Sequence, residues 1–155
     1  MIFVKESDLY EIYEMESEPY DDERLGRAVV MFSDKTSQTD YPTILRIERK
    51  FTDLENFEEF VNRSILRLNL EHNNILQMID YSYKPDNEEM TSFTVNGFFE
   101  NCETDLQKQI ELNVYQKKKF SDIDIFNLIK HCVFGLAFLQ LNKSFHGDLR
   151  YCIIY

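Results

Sequence analysis

The sequence predicts an α+β fold in which a small antiparallel sheet carries one helix and stands beside a separate helical unit. Strand-like apolar segments occupy most of the first hundred residues, a single helical periodicity interrupts them, and the last third is helical in character throughout. Strands followed by a run of helices are typical of α+β proteins. A length of 155 residues, of which 43% are hydrophobic, is enough for a real core.

Strands are predicted for the beginning of the chain. The first lies around residues 9–15, and an acidic turn over residues 16–23 separates it from a strand at residues 26–32. A polar turn over residues 33–40 then leads into a strand at residues 43–48. The last two strands are therefore expected to form a β-hairpin.

The next predicted element is an amphipathic helix. Asp53 or Asn56 caps its start, and its apolar side chains recur at steps of three and four: Phe57, Phe60, Val61, Ile65 and Leu68. A strand at residues 75–81, a turn at 84–90 and a return strand at 92–100 complete the predicted sheet.

Two helices are predicted for the last third. Thr104 or Asp105 caps a short helix that ends near Leu112, and Ser121 with Asp124 has the spacing of a capping box at the start of a long helix. This helix carries aromatic and aliphatic side chains beyond its main apolar stripe, so we expect an exposed apolar surface that favours self-association or a protein partner. The additional residues are Phe126, Phe134, Phe138 and Leu139.

Composition excludes several classes of protein. The formal net charge of -11 would repel a phosphate backbone, so nucleic acid is not an expected partner. The apolar run at the start is only three residues long, which predicts neither a signal peptide nor a membrane span. Cys102, Cys132 and Cys152 are widely spaced and form no C-x-x-C pair, so neither disulfides nor zinc are expected. We therefore expect a reduced, intracellular and cytoplasmic protein without membrane contact.

Four segments, taken in order along the chain, resemble the eukaryotic protein kinase domain. They are residues 66–76, residues 99–106, the helical residues 128–139, and residues 146–154, which lie over the family's catalytic loop H-R-D-L-K-x-x-N-I. The resemblance runs from about residue 9 to the last residue. It implies a kinase-like amino-terminal lobe at residues 1–101, with a five-stranded sheet and one regulatory helix. Residues 102–155 would be the first part of the helical lobe, ending at the catalytic loop.

The same resemblance implies the site residues. Asp148 and Arg150 stand in the positions of the catalytic aspartate and lysine. Four further residues would line a nucleotide cleft. Gly26 stands at the last glycine of the phosphate loop and Arg46 at the position of the third-strand lysine. Glu100 and Cys102 belong to the hinge.

The chain departs from the kinase pattern where phosphate and metal should be held. Asp21 and Glu23 replace the other two glycines of the phosphate loop, and Ile153 replaces the asparagine that binds the second magnesium ion. Arg63 falls at the position of the helix glutamate and would face Arg46. At about 4 Å and an effective dielectric constant of about 20, two like charges cost about 4 kcal/mol. We therefore expect no metal site and no cofactor, with ATP and magnesium as the ligands if any nucleotide binding survives.

Two features have alternative interpretations. Asp148 is either a catalytic base or a structural aspartate that holds its own loop. The acidic residues Asp21, Asp22 and Glu23 are either a solvated turn or a built-in anion that folds onto Arg46 or Arg63 and occupies the phosphate space.

Three functions follow as hypotheses. The first is a catalytically inactive, pseudokinase-like module that acts by binding, through a protein partner, a missing segment of the helical lobe, or self-association of the long helix. The second is part of a weakly active ATP-dependent Ser/Thr-type protein kinase completed by missing carboxyl-terminal sequence. The third is an unrelated acidic α+β interaction protein.

Overall fold

The structure, a computed structural model, describes residues 4–13, 15–22, 26–33, 41–102 and 104–144. These residues form an α+β fold, as predicted. In chain order the elements are α1 (Leu9–Ile12), β1 (Met15–Glu16), β2 (Tyr20–Asp22), β3 (Gly26–Phe32), β4 (Thr43–Phe51), α2 (Leu54–Leu68), β5 (Met78–Pro85), β6 (Phe93–Glu100), α3 (Leu106–Tyr115) and α4 (Asp122–Leu141).

The chain divides into two compact units. The first contains Met1–Asn69 and Gln77–Asn101, and the second contains Leu70–Leu76 and Cys102–Tyr155. The sequence had assigned residues 70–76 to the first unit. The identification of the units with kinase lobes stays a prediction.

The strands form one antiparallel sheet in the order β1-β3-β4-β6-β5, and β2 also pairs with β3. The predicted hairpin of β3 and β4 is confirmed, with Val29 opposite Arg46. On its other side β4 pairs with β6 from Ile44 opposite Glu100 to Phe51 opposite Phe93. The strand β4 is therefore hydrogen-bonded on both edges along most of its length.

Alternation of side chains along the strands gives the sheet two faces. On the face against α2, called the α2 face, the ring of Phe57 stacks on that of Phe93 with centroids 4.1 Å apart, and Phe51 contacts Phe60 at 5.3 Å. The opposite face, called the α1 face, has its own buried cluster, which Leu9 and Ile12 help to cover. Its buried members are Tyr13, Val29, Met31, Ile44 and Phe98.

The predicted strand at residues 9–15 is wrong in its first part, because Leu9–Ile12 forms one turn of helix. Leu9, Ile12 and Tyr13 are spaced at i, i+3 and i+4, which places all three on one side of a helical turn against the sheet. Before this turn, Lys5 and Tyr83 exchange two backbone hydrogen bonds of 2.9 Å. The N-terminal segment thus pairs with the outer edge of β5.

The helix caps settle the alternatives left by the sequence. The carboxylate of Asp53 accepts a hydrogen bond of 2.8 Å from the amide of Asn56, and Asp105 accepts one of 2.8 Å from Lys108. Ser121 and Asp124 form the predicted capping box of α4. The hydrogen bonds from Asn56 lower the pKa of Asp53, and those from Ser121 lower the pKa of Asp124.

Two predicted segments are shifted. The strand expected at residues 75–81 begins only at Met78, because Ile75 closes a turn by donating its amide to the carbonyl of His72. The acidic stretch at residues 16–23, expected as a turn, contains the end of β1 and all of β2. Charged side chains on these short edge strands oppose the pairing of the edge with another chain.

In the second unit, the segment Leu70–Leu76 packs on α4. The ring of His72 stacks on Phe138 with centroids 4.6 Å apart, and a Cβ atom at Gly135 would lie 2.7 Å from the carbonyl oxygen of Asn74. The exposed apolar surface expected on the long helix is present at Phe126 and Phe134, whereas Leu139 is buried and Phe138 packs against His72. The most exposed side chains of this surface are Ile123, Phe126, Ile129, Val133, Phe134 and Leu141. Within the described ranges no helix is long and apolar enough to cross a membrane.

The glycine at the start of β3 is required by the backbone. Gly26 has a φ of 97°, and a Cβ atom there would lie 2.6 Å from the carbonyl oxygen of Glu48. We expect Gly26→Ala to lower the free energy of unfolding by about 1–3 kcal/mol, because the substitution adds backbone strain and a clash with main chain. Urea denaturation measures this, with Arg27→Ala at the exposed next position as the control. Equal stability of the two variants would contradict the assignment.

Candidate functional site

The residues that the kinase resemblance assigns to catalysis, Asp148 and Arg150, lie outside the described residues, as does Ile153. Cys102 is partly buried and belongs to the second unit. The first unit contains the other assigned residues, so their positions can be compared within one compact body.

Gly26 and Glu100 lie at different levels of the sheet. Gly26 lies beside Glu48, whereas Glu100 is opposite Ile44, four residues along β4 or about 13 Å away. The carboxylate of Glu100 accepts a hydrogen bond of 2.9 Å from the amide of Gln77 and so holds the start of β5. Both residues therefore have structural roles that need no nucleotide.

Arg46 lies on the α1 face, where Glu16 neutralises it. Its two terminal nitrogens contact the two carboxylate oxygens of Glu16 at 2.9 and 3.3 Å, and its Cζ lies 5.8 Å from the centroid of the Tyr10 ring. The predicted approach of Arg46 to Arg63 is wrong, because α2 packs on the other face. Arg63 instead pairs with Glu59 one helical turn earlier, at 2.5 Å.

A different pair of arginines occurs on the α2 face. The guanidinium of Arg67 lies 4.9 Å from the centroid of the Phe99 ring. Desolvation there, and then the charge of Arg49, lower the pKa of Arg67, although the group stays protonated. Sequence reasoning missed this pair. The available signal was strand parity, because Arg49 is an odd number of residues from Arg46 and must point to the other face.

The hypothesis that Asp21, Asp22 or Glu23 forms a built-in anion on Arg46 or Arg63 stays a prediction for the last two residues. A carboxylate does neutralise Arg46, but it belongs to Glu16 and not to the acidic run. Asp21 is exposed in β2, opposite Arg27 of β3. The side chain of Asp22 and all of Glu23 lie outside the described parts of the chain.

The α1 face also contains a polar depression of about 360 Å³, called here the α1-face depression. The strand register places the lining residues in rows that run across neighbouring strands. In one row Glu48 of β4 is opposite Asn96 of β6, and in the next Lys50 of β4 and Lys84 of β5 lie on either side of Thr94 of β6. The ring of Tyr10 forms one wall beside Arg46. The lining residues are Tyr10, Arg46, Glu48, Lys50, Lys84, Asp86, Thr94 and Asn96.

Two residues that line the depression each have a buried polar atom without a partner among the described residues. These atoms are Nε of Arg46 and Oδ1 of Asn96. Asn96 is only 9% exposed, and its amide nitrogen makes a single long contact of 3.5 Å to Oγ of Ser82. Buried polar groups without a hydrogen bond are uncommon in folded proteins, and each one costs about 1–3 kcal/mol.

The rim carries charges of both signs. The carboxylate of Asp86 accepts hydrogen bonds of 2.7 Å from Ser92 and 2.5 Å from Thr94. These bonds lower the pKa of Asp86, and the nearby charges of Lys50 and Lys84 lower it further. The depression can therefore bind a ligand with both anionic and cationic groups.

Neither a protein-family model nor a curated protein matches the chain. In the part of the chain that the structure describes, no three His, Cys, Asp or Glu side chains come close enough together to hold a metal ion.

The lowered pKa of Asp86 makes its contribution to stability depend on pH. A carboxylate whose pKa is lower in the folded state stabilises the fold above the unfolded pKa of about 3.9, and this contribution disappears as the pH falls through the folded value. We expect Asp86→Asn to lower the free energy of unfolding at neutral pH by no more than about 1 kcal/mol, because Asp86 is exposed.

Urea denaturation of the wild type and of Asp86→Asn at several pH values tests this. The difference between them should shrink as the pH is lowered past 4, where roughly half of unfolded aspartates are protonated. Asp8→Asn controls for the loss of a carboxylate without a side-chain cap. A difference that grows with acidity would contradict the assignment.

Proposed function

We propose that the chain is a protein-kinase-like module that acts by binding and does not transfer phosphate. The order of its elements supports this proposal: a hairpin, the helix α2, two further strands and then helices follow one another as the kinase resemblance implies. The antiparallel sheet with a single packed helix is of the same general kind. The kinase-like motifs of the sequence remain the basis for naming the family.

The observation that carries the inactive part of the proposal is the pairing of charges between strand and helix. Active protein kinases need an ion pair between a strand lysine and a helix glutamate. Here the strand residue assigned to that role, Arg46, is held by Glu16 on the face opposite α2. On the α2 face, Arg67 lies near another cation, Arg49. Like charges at this position do not support the orientation of a triphosphate for transfer.

The binding part of the proposal rests on α4. Phe126, Ile129 and Val133 lie along one side of this helix and are 66%, 57% and 54% exposed. Apolar residues that are contiguous and exposed mark surfaces for protein contact. The proposed partner is a protein, and a second copy of the chain is the simplest partner to test.

The inactive part predicts no magnesium-dependent binding of ATP. A ligand at a hundred times its Kd stabilises the folded state by about 2.7 kcal/mol, which a thermal-shift assay detects easily. We expect ATP with magnesium to leave the melting temperature unchanged and a radiolabel assay to find no phosphate on added protein substrates. An active protein kinase in the same buffer is the positive control. Magnesium-dependent stabilisation with phosphate transfer would favour the weakly active kinase instead.

The binding part predicts that α4 mediates self-association. We expect sedimentation velocity to show concentration-dependent association of the wild type, and a hydrophobic dye to bind it. Ile129→Asp should reduce both, because it places a charge in the centre of the apolar side of α4. Asn127→Asp adds the same charge at an exposed polar position and should change neither. A monomeric wild type that binds no dye would overturn this part of the proposal.

A further inference from the structure

We propose that the α1-face depression is a binding site for a small zwitterion of the amino-acid class. The inference is independent of the kinase-like proposal, since it rests on a part of the sheet that the kinase resemblance does not assign to nucleotide. Its starting point is that two residues lining the depression, Arg46 and Asn96, each have a buried polar atom, one a donor and one an acceptor, without a partner in the described chain.

The acceptor side of the site lies in the middle row. Asn96 offers an unpaired carbonyl oxygen, and the carboxylate of Glu48 lies on the directly opposite position of the neighbouring strand. An amide oxygen and a carboxylate accept hydrogen bonds and do not donate them. This row therefore favours a ligand group with several donors and a positive charge, which an ammonium group provides.

Cations flank this row on both sides. Lys50 and Lys84 lie one strand away from Thr94 in opposite directions, so their Cα atoms are about 10 Å apart. Their two positive charges exceed the single negative charge of Asp86 beside them, so this edge of the depression still attracts an anion. On the other side, Arg46 presents a buried Nε–H without an acceptor. A ligand carboxylate is the group that these donors fit.

The two sets of groups exclude simpler ligands. An inorganic anion has no cationic group for the middle row and would meet the carboxylate of Glu48 there. A diamine would leave Nε of Arg46 unpaired and would meet both lysines. The volume of about 360 Å³ is sufficient for one amino acid. Tyr10, which is 41% exposed, forms the wall of the site beside Arg46.

The test compares ligands that differ in one charge. L-glutamate, glutarate, putrescine and inorganic phosphate are titrated separately into the ¹⁵N-labelled full chain, and amide shifts give the site and the Kd. We expect L-glutamate to shift the amides of Glu48, Thr94 and Asn96, and glutarate, which lacks the ammonium group, to bind at least about tenfold more weakly, or 1.4 kcal/mol. Equal binding of L-glutamate and glutarate, or stronger binding of phosphate or putrescine, overturns the proposal.

Variants separate binding from folding. Lys84→Gln should weaken L-glutamate binding about tenfold. Lys119→Gln removes the same charge from an exposed position in the segment before α4 and should have no effect on binding. Glu48→Gln should remove the preference for L-glutamate over glutarate. Asn96→Leu removes the buried acceptor and should abolish the ligand-induced shift. Should Asn96→Leu fail to fold, the Glu48 and Lys84 variants still decide, and unchanged binding in both overturns the proposal.

Discussion

The register of β4 is the constraint on which the rest of the first unit depends. Because β4 is paired on both edges, the ladders fix Arg46 on the α1 face and Arg49 on the α2 face. A slip of one residue would reverse every side chain of the strand. It would turn Lys50 toward the aromatic cluster under α2 and turn Phe51 away from it. Burying the charge of Lys50 without a partner would cost more free energy than the shifted pairing could return. The observed register avoids this cost and keeps Phe51 in contact with Phe60.

This register also determines which groups contact the arginine side chains of the first unit. Arg46 is neutralised by a two-point contact with Glu16, and Arg63 by Glu59 on its own helix. Arg67 is accommodated differently, by the face of the Phe99 ring, where an aromatic quadrupole attracts a guanidinium. In a protein of net charge -11, carboxylates are plentiful, yet the one beside Arg46 comes from an edge strand and not from α2. Arg46 is therefore paired on the face opposite α2, and no carboxylate of α2 contributes to that ion pair.

Features with a local cause could be predicted from the sequence, and features with a distant cause could not. The caps at Asp53 and Ser121 depend on residues three positions away, and the hairpin of β3 and β4 on a short polar connection. The direction of Arg46 depends on pairing with Phe98, which is far along the chain, so a motif alignment could not fix it. The sequence predicts a strand where the helical turn at Leu9 lies, because apolar residues in so short a segment fit either period. The buried Asn96 did carry a signal, as a polar residue at a core position of an apolar strand.

The two units leave different kinds of group unsatisfied, and this difference bears on what the protein does. The first unit buries polar atoms without partners, at about 1–3 kcal/mol each, which is large against a typical total stability of about 5–15 kcal/mol. The second unit exposes phenylalanine and isoleucine on α4, which gains nothing for a chain that remains alone. Both features fit the two proposed binding roles, because a bound polar ligand would satisfy the first set of groups and a bound protein would cover the second.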